Sequence, residues 1–244
     1  MGGRTAGRRP LLSVDARGYG AADGRRQVAM QRGLIDLLDD SAEAAGLRRA
    51  AWQRQQSGDG EFAVLPADEP ESVLIDDFVR ALADRVADYN EDRRDEARMR
   101  LRLAIHNGVV EPAASGFAGA GAVVVGRLCD CAPAKALQDA LPEAGLVVIL
   151  SNRVYLDTVA QGHTSVRPAR FRKVRVRVKE YRDDAWLHVP GADIRAVDLE
   201  TAAETPPDRP GRTPDMPAQS AEVISNFHDR VTAEVIGMQV NHRG

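Results

Sequence analysis

Two short turns carry carboxylates in settings that suit cation binding. Residues 54–66, RQQSGDGEFAVLP, set Asp59 between Gly58 and Gly60 just ahead of an apolar run. Gly-Asp-Gly is a tight-turn tripeptide, so the stretch reads as a hairpin tip, with residues 61–65 returning as a strand. Such a tip holds a carboxylate outward on a rigid turn, with no bulky neighbour to obstruct a cation. Asp59 is therefore a candidate metal ligand, although an Asp-Gly pair equally suits a plain solvated turn. Upstream, residues 11–20, LLSVDARGYG, end an apolar run in Asp15 and pass through Gly18, Tyr19 and Gly20 into a helix from about Arg25. That arrangement points backbone N–H groups at an anion. On adjacent strands, Asp15 and Asp59 could share a hard divalent cation such as Mg²⁺ or Mn²⁺, phosphate oxygens completing its oxygen shell. The outline is a nucleotide-phosphate site.

Other chemistries find less support. His106 falls inside an alternating strand and reads as structural, and the five histidines are too scattered for a zinc cluster. No Ser-His-Asp or Cys-His spacing stands out. Cys129 and Cys131, placed at a helix start, are too few for a zinc site and too close for an ordinary disulfide, and read as a buried reduced pair. A formal net charge of -3 argues against bulk electrostatic binding of nucleic acid. The basic run at residues 170–179 lacks interleaved aromatics and leaves that reading well behind. With no apolar segment of membrane-spanning length and no secretory signal, a cytoplasmic protein is expected.

The elements that must position these residues follow from periodicity. Residues 1–10 read as a disordered basic arm and 11–14 as the first strand. Residues 27–47 and 73–89 carry helical apolar stripes. Residues 48–56 lead as a second strand through Ala51 and Trp52 into the Gly-Asp-Gly turn. Residues 100–110, RLRLAIHNGVV, alternate and read as a central strand followed by Asn-Gly. Residues 123–125 lead into a third helix over 126–141. A buried strand at 145–150, a short helix at 152–161, an alternating strand at 171–178 and a closing hairpin strand at 181–189 complete the domain. The order is that of a ferredoxin-like split βαβ arrangement with additions: one α+β sheet, helices on one face. Residues 193–220 include a proline-rich linker, and 221–244 recover apolar character as a docking segment for this domain or a protein partner.

With these residues in place, residues 11–192 resemble a class III nucleotide cyclase homology domain, and look closest to small stand-alone actinobacterial versions. The matching pieces occur in order: VDARGYG, SGDGEFAVL, RLRLAIHNGVV, GAVVVGRL and VRVKEY. The resemblance implies metal-dependent conversion of a nucleoside triphosphate to a 3′,5′-cyclic monophosphate and pyrophosphate. It implies that Asp15 and Asp59 hold the divalent ions, Arg127 stabilises charge on the α-phosphoryl group, and Lys179 grips the triphosphate. In that family the arginine and lysine come from the subunit opposite the aspartates, so an active protein is expected to be a homodimer. Arg127 also admits a plainer role, capping the preceding strand or pairing with Asp130, and Lys179 one on the wet face of an edge strand. Two positions depart from the pattern. Val123 stands where a ribose-orienting asparagine is usual, and Gln55 stands where the base is normally chosen by lysine or glutamate. The second base-reading residue lies around Gly116. A catalytically inactive, cyclase-like signalling or scaffold protein is the alternative that Val123 favours.

Overall fold

The computed structural model describes residues 6–113 and 116–199. Eight strands form one sheet: β1 (Gly7–Ala16), β2 (Gln53–Ser57), β3 (Gly60–Val64), β4 (Leu101–Ala113), β5 (Gly116–Ala118), β6 (Leu146–Ser151), β7 (Arg172–Val178) and β8 (Tyr181–His188). Their order is β2-β3-β1-β4-β6-β8-β7, with β5 bonded to the end of β4. The β4–β6 pair is parallel and the others are antiparallel. Helices α1 (Gly24–Ala44), α2 (Glu71–Val73) and α3 (Val79–Glu91) precede β4, with a π turn at Leu74–Phe78 joining α2 to α3. Between β4 and β6 come α4 (Ala120–Cys129) and α5 (Ala132–Ala140), and α6 (Asn152–Val154) follows β6. This is a mixed α+β fold.

Strand alternation sorts the sheet into two faces. Leu12, Val14, Leu101, Leu103, Leu146 and Val148 join a core with Leu34 and Leu38 of α1 and Leu82 and Val86 of α3. Each such fully buried aliphatic contributes about 1.5–3 kcal/mol over leaving it exposed. The expected helical layer is therefore α1 with α3. The opposite face carries a second, smaller layer. There Leu11, Ala104, Val147, Ile149 and Leu187 meet Val125 and Leu128 of α4 and Leu137 of α5.

Several local expectations are corrected. Residues 7–10, read as part of a disordered arm, are strand, because β4 is long enough to pair β1 from Gly7 opposite Val110 to Ala16 opposite Leu101. That length arises because β4 runs straight through Asn107-Gly108. Gly108 serves close approach rather than a turn: a Cβ there would lie 2.7 Å from the Cα of Gly121, where α4 meets the sheet. Residues 49–51 form a 3₁₀ turn instead of strand, and Arg49 points inward to Glu61. The expected third helix is two helices, broken at Asp130-Cys131, with a proline in the first turn of α5. Ile194 and Leu199, assigned to the linker, are buried in the second core. The linker from residue 200 and the segment 221–244 lie outside the described residues.

Candidate functional site

The Gly-Asp-Gly hairpin forms as its sequence demands. Ser57 pairs with Gly60, leaving Gly58-Asp59 as a two-residue tip, and Gly58 has φ +40°, a conformation that favours glycine. Gly60 must also be glycine, since a Cβ there would run into the Val14 carbonyl. β3 pairs with β1 so that Gly60 stands opposite Asp15, and the Ala16 N–H donates to the Asp59 carbonyl at 2.8 Å. Beyond β1 the chain turns at Gly18 (φ +86°), and the Tyr19 ring lies over Gly58. The Tyr19 hydroxyl accepts from Gln31 Nε2 at 2.8 Å, which fixes that ring to α1. The structure thus brings Asp15, Asp59 and the 18–20 loop together.

Asp15 lies on the sheet face that carries α4 and α5. Burial is the main influence holding its carboxyl above the ordinary carboxylate range; Arg102 pulls it down, while the charge of Asp59 and a hydrogen bond between the two carboxyl groups raise it further. A second acidic group held beside a largely buried carboxyl marks a place where positive charge is favoured. Among the described residues, no third His, Cys, Asp or Glu joins them as a metal-holding group.

Arg102 is the site residue that sequence reasoning missed. It pairs with Asp15 across β1–β4, is 8% exposed, and contacts Asp15 Oδ2 through Nη2. Its Nε donates to the Cys129 carbonyl at 3.1 Å and its Nη1 to Gln138 Oε1 at 2.9 Å. The alternation of RLRLAIHNGVV put Arg102 on the Ala104 face, a signal that it faced a covered layer and needed a partner.

Arg127 sits on α4, with Nη2 3.8 Å from Glu180 Oε1 and a buried Nε that has no hydrogen-bond partner. It does not pair with Asp130, whose partner is Lys135. Lys179 is exposed and occupies the two-residue turn between β7 and β8 with φ +53°, so it leaves the alternating face of Lys173 and Arg175. Arg127 thus meets the turn that carries Lys179 through Glu180, the next residue in sequence. Among the described residues, neither forms an ion pair with Asp15 or Asp59. Val123, one helical turn before Arg127, is 47% exposed. Gln55 stands on β2 opposite Phe62, and its Oε1 presses on the place where a Cβ of Gly116 would be. Phe62 and Phe117 meet beside it with ring centroids 5.7 Å apart.

The remaining candidates are structural. The His106 imidazole is lowered to about 4 by burial and by Arg8 and Arg153, and its Nδ1 lies 2.9 Å from Ser151 Oγ. Cys129 and Cys131 are free and buried, Cys129 ending α4 and Cys131 capping α5. Burial pushes their thiols up to about 12 and about 11, which keeps them protonated and unreactive at neutral pH. No described helix is long and apolar enough to cross a membrane.

No protein-family model matches the chain, and no curated protein matches it at the level of sequence. Solved structures match its fold. The guanylyl cyclase Cya2 aligns with a TM-score of 0.51 at 13% identity, over 78% of this chain and 96% of that one. An adenylate/guanylate cyclase/hydrolase from Silicibacter pomeroyi aligns with a TM-score of 0.52 at 19% identity, over 76% and 99%. A bacterial light-regulated adenylyl cyclase aligns with a TM-score of 0.52 at 11% identity, over 82% of this chain and 56% of that one. The fold is that of adenylate and guanylate cyclase domains.

Proposed function

We propose that this chain is a nucleotide cyclase that converts a nucleoside triphosphate to a 3′,5′-cyclic monophosphate and pyrophosphate. The observation that carries the reading is the meeting of Asp15 and Asp59 at adjoining backbone positions, Asp15 opposite Gly60 and the Ala16 N–H donating to the Asp59 carbonyl. Two carboxylates and no dedicated cage suit Mg²⁺ or Mn²⁺, which commonly take one or two carboxylates and complete their shell with substrate phosphates and water. Bound there, the ion would supply charge neutralisation at the triphosphate and acidity at the ribose 3′-hydroxyl.

The chain's own groups do the rest. The N–H groups of the Gly18-Tyr19-Gly20 loop face the phosphates. Arg127 neutralises charge on the α-phosphoryl group, its planar fork suiting a phosphoryl better than a lysine would. Lys179 holds the triphosphate, and Gln55 meets the base with an amide that both donates and accepts. Because Arg127 meets the turn that carries Lys179, and neither residue pairs with Asp15 or Asp59, each chain carries an acidic half and a basic half. A two-fold homodimer would join the halves into two complete sites.

The test incubates the full chain with ATP, GTP, CTP and UTP separately, with Mn²⁺ and then Mg²⁺, and detects cyclic nucleotide and pyrophosphate by mass spectrometry. Product from one base, abolished in Asp59→Asn with the fold intact, is the expected result. Full turnover by Asp59→Asn removes that carboxylate from the mechanism.

Val123 favours a second reading, a catalytically inactive cyclase-like signalling or scaffold protein. An exposed valine one turn before Arg127 offers no hydrogen bond to a ribose. In this reading the protein binds a nucleotide, or a protein partner through residues 221–244. No product from any of the four nucleotides, from a folded dimer, would favour it.

A further inference from the structure

The guanidinium of Arg102 has three acceptors on three elements: Asp15 on β1, the Cys129 carbonyl at the end of α4, and Gln138 on α5. Asp15 and Arg102 are register partners of an antiparallel pair, so their side chains leave the sheet on the same face. The Cys129 carbonyl is free because α4 ends there, and Pro133, four positions on, has no N–H to offer it. Gln138 is fully buried, and its Nε2 has no hydrogen-bond partner, so its orientation is set by what its oxygen accepts. Cys129 Sγ returns a contact to the Arg102 carbonyl at 3.5 Å.

A rigid fork that spends Nε and Nη1 on α4 and α5 has one direction left for Nη2. That direction is Asp15 Oδ2, and the other carboxylate oxygen takes no part in the contact. We infer that Arg102 is a positioning residue for the cation site: it holds Asp15 in the rotamer that turns one oxygen toward Asp59, and ties that rotamer to the end of the helix carrying Arg127. The inference rests on the metal-site reading above and deepens it. Partners that orient a ligating side chain typically change metal affinity by about 10–100-fold when lost. Lysine, a point charge on a flexible stem, preserves the charge beside Asp15, but its donors share one nitrogen and cannot span acceptors placed around the three nitrogens of a guanidinium.

The test measures Mn²⁺ binding to the full chain from the EPR signal of the free aqueous ion, with circular dichroism and a thermal melt as the check on folding. Arg102→Met should weaken Mn²⁺ binding by about tenfold or more. Arg102→Lys should recover only part of that loss, and Arg102→Met should add nothing in an Asp15→Asn background. Gln138→Leu, which loosens the guanidinium but keeps its charge, should weaken binding by a smaller factor, and it carries the test if Arg102→Met does not fold. Unchanged affinity in Gln138→Leu and a folded Arg102→Met overturns the positioning role alone. Full recovery by lysine overturns it in favour of charge. No Mn²⁺ binding by the unsubstituted chain overturns the metal-site reading, and this inference with it.

Discussion

The hairpin that presents Asp59 is held from beneath by a buried ion pair, and removing one partner gives a sharp prediction. Arg49 Nη1 lies 2.5 Å from Glu61 Oε1 and Nη2 3.0 Å from Oε2, a bidentate pair in which Glu61 is 2% exposed. The same guanidinium donates through Nε to Asp39 at 2.7 Å and stacks over Trp52 at 4.9 Å. Truncating one member of a buried pair typically costs about 3–5 kcal/mol because the other charge is left uncompensated. Asp39 still meets Arg49 in Glu61→Ala, so the low end applies, about 3 kcal/mol. In a domain of this size each kcal/mol moves the midpoint by about 2–4 °C, so a fall of about 6–12 °C is expected. The assay is a thermal melt at pH 7 by calorimetry or circular dichroism. The double variant Arg49→Met with Glu61→Leu should regain most of the loss, since a well-packed apolar pair can replace a buried ion pair at little cost. A fall under about 2 °C in Glu61→Ala would refute the reasoning, by showing that the charge left behind finds water or another partner.

Two further predictions concern Val123 and His106. Val123→Asn replaces a half-exposed side chain by one of similar helix propensity, so it should cost at most about 1 kcal/mol of stability. In a working cyclase it should raise kcat by about tenfold or more by restoring an orienting contact; an unchanged kcat in a folded dimer would remove the ribose contact from the account of Val123. His106 protonates at about 4 in the fold rather than at its ordinary 6.5. The unfolded chain therefore binds the proton first, and stability should fall as pH drops from 6.5 toward 4, by up to about 3 kcal/mol. Melts of the unsubstituted chain and His106→Gln across that range check the sign: the variant should show a flatter dependence, and parallel curves would assign the acid sensitivity elsewhere.

What could be read from the chain alone was local. The two acidic turns are specified by glycines whose backbone freedom or lack of a side chain is needed on the spot, so their conformation was legible before any partner was known. Alternation placed Arg102 on a face but could not name its acceptors, which lie 87, 27 and 36 residues away. Asn-Gly in β4 shows the same limit: its turn signal yields when both neighbours on the sheet are present and a helix needs the room. The helix break at Asp130-Cys131 was signalled by Pro133, but a helical stripe that continues past a proline hides it. The basic residues showed the limit most clearly. Arg127 and Lys179 were found by motif, yet the contact of Arg127 with Glu180, beside Lys179, depends on a hairpin folding back over α4, a tertiary event with no periodicity to announce it.

One consequence of the break between α4 and α5 reaches beyond the two helices. The acidic centre leans, through Arg102, on a carbonyl left free where α4 ends. A residue with an N–H at 133 would remove one bar to a helical bond with the Cys129 oxygen, and were Asp130-Cys131 to turn helical as well, the two short helices would join into one rod. The guanidinium would lose a hold, and the carboxylate at its far end would be free to turn, though every group named in the chemistry were still present. For this chain, sequence changes that silence the site need not touch it: a helix allowed to run four residues further would be enough.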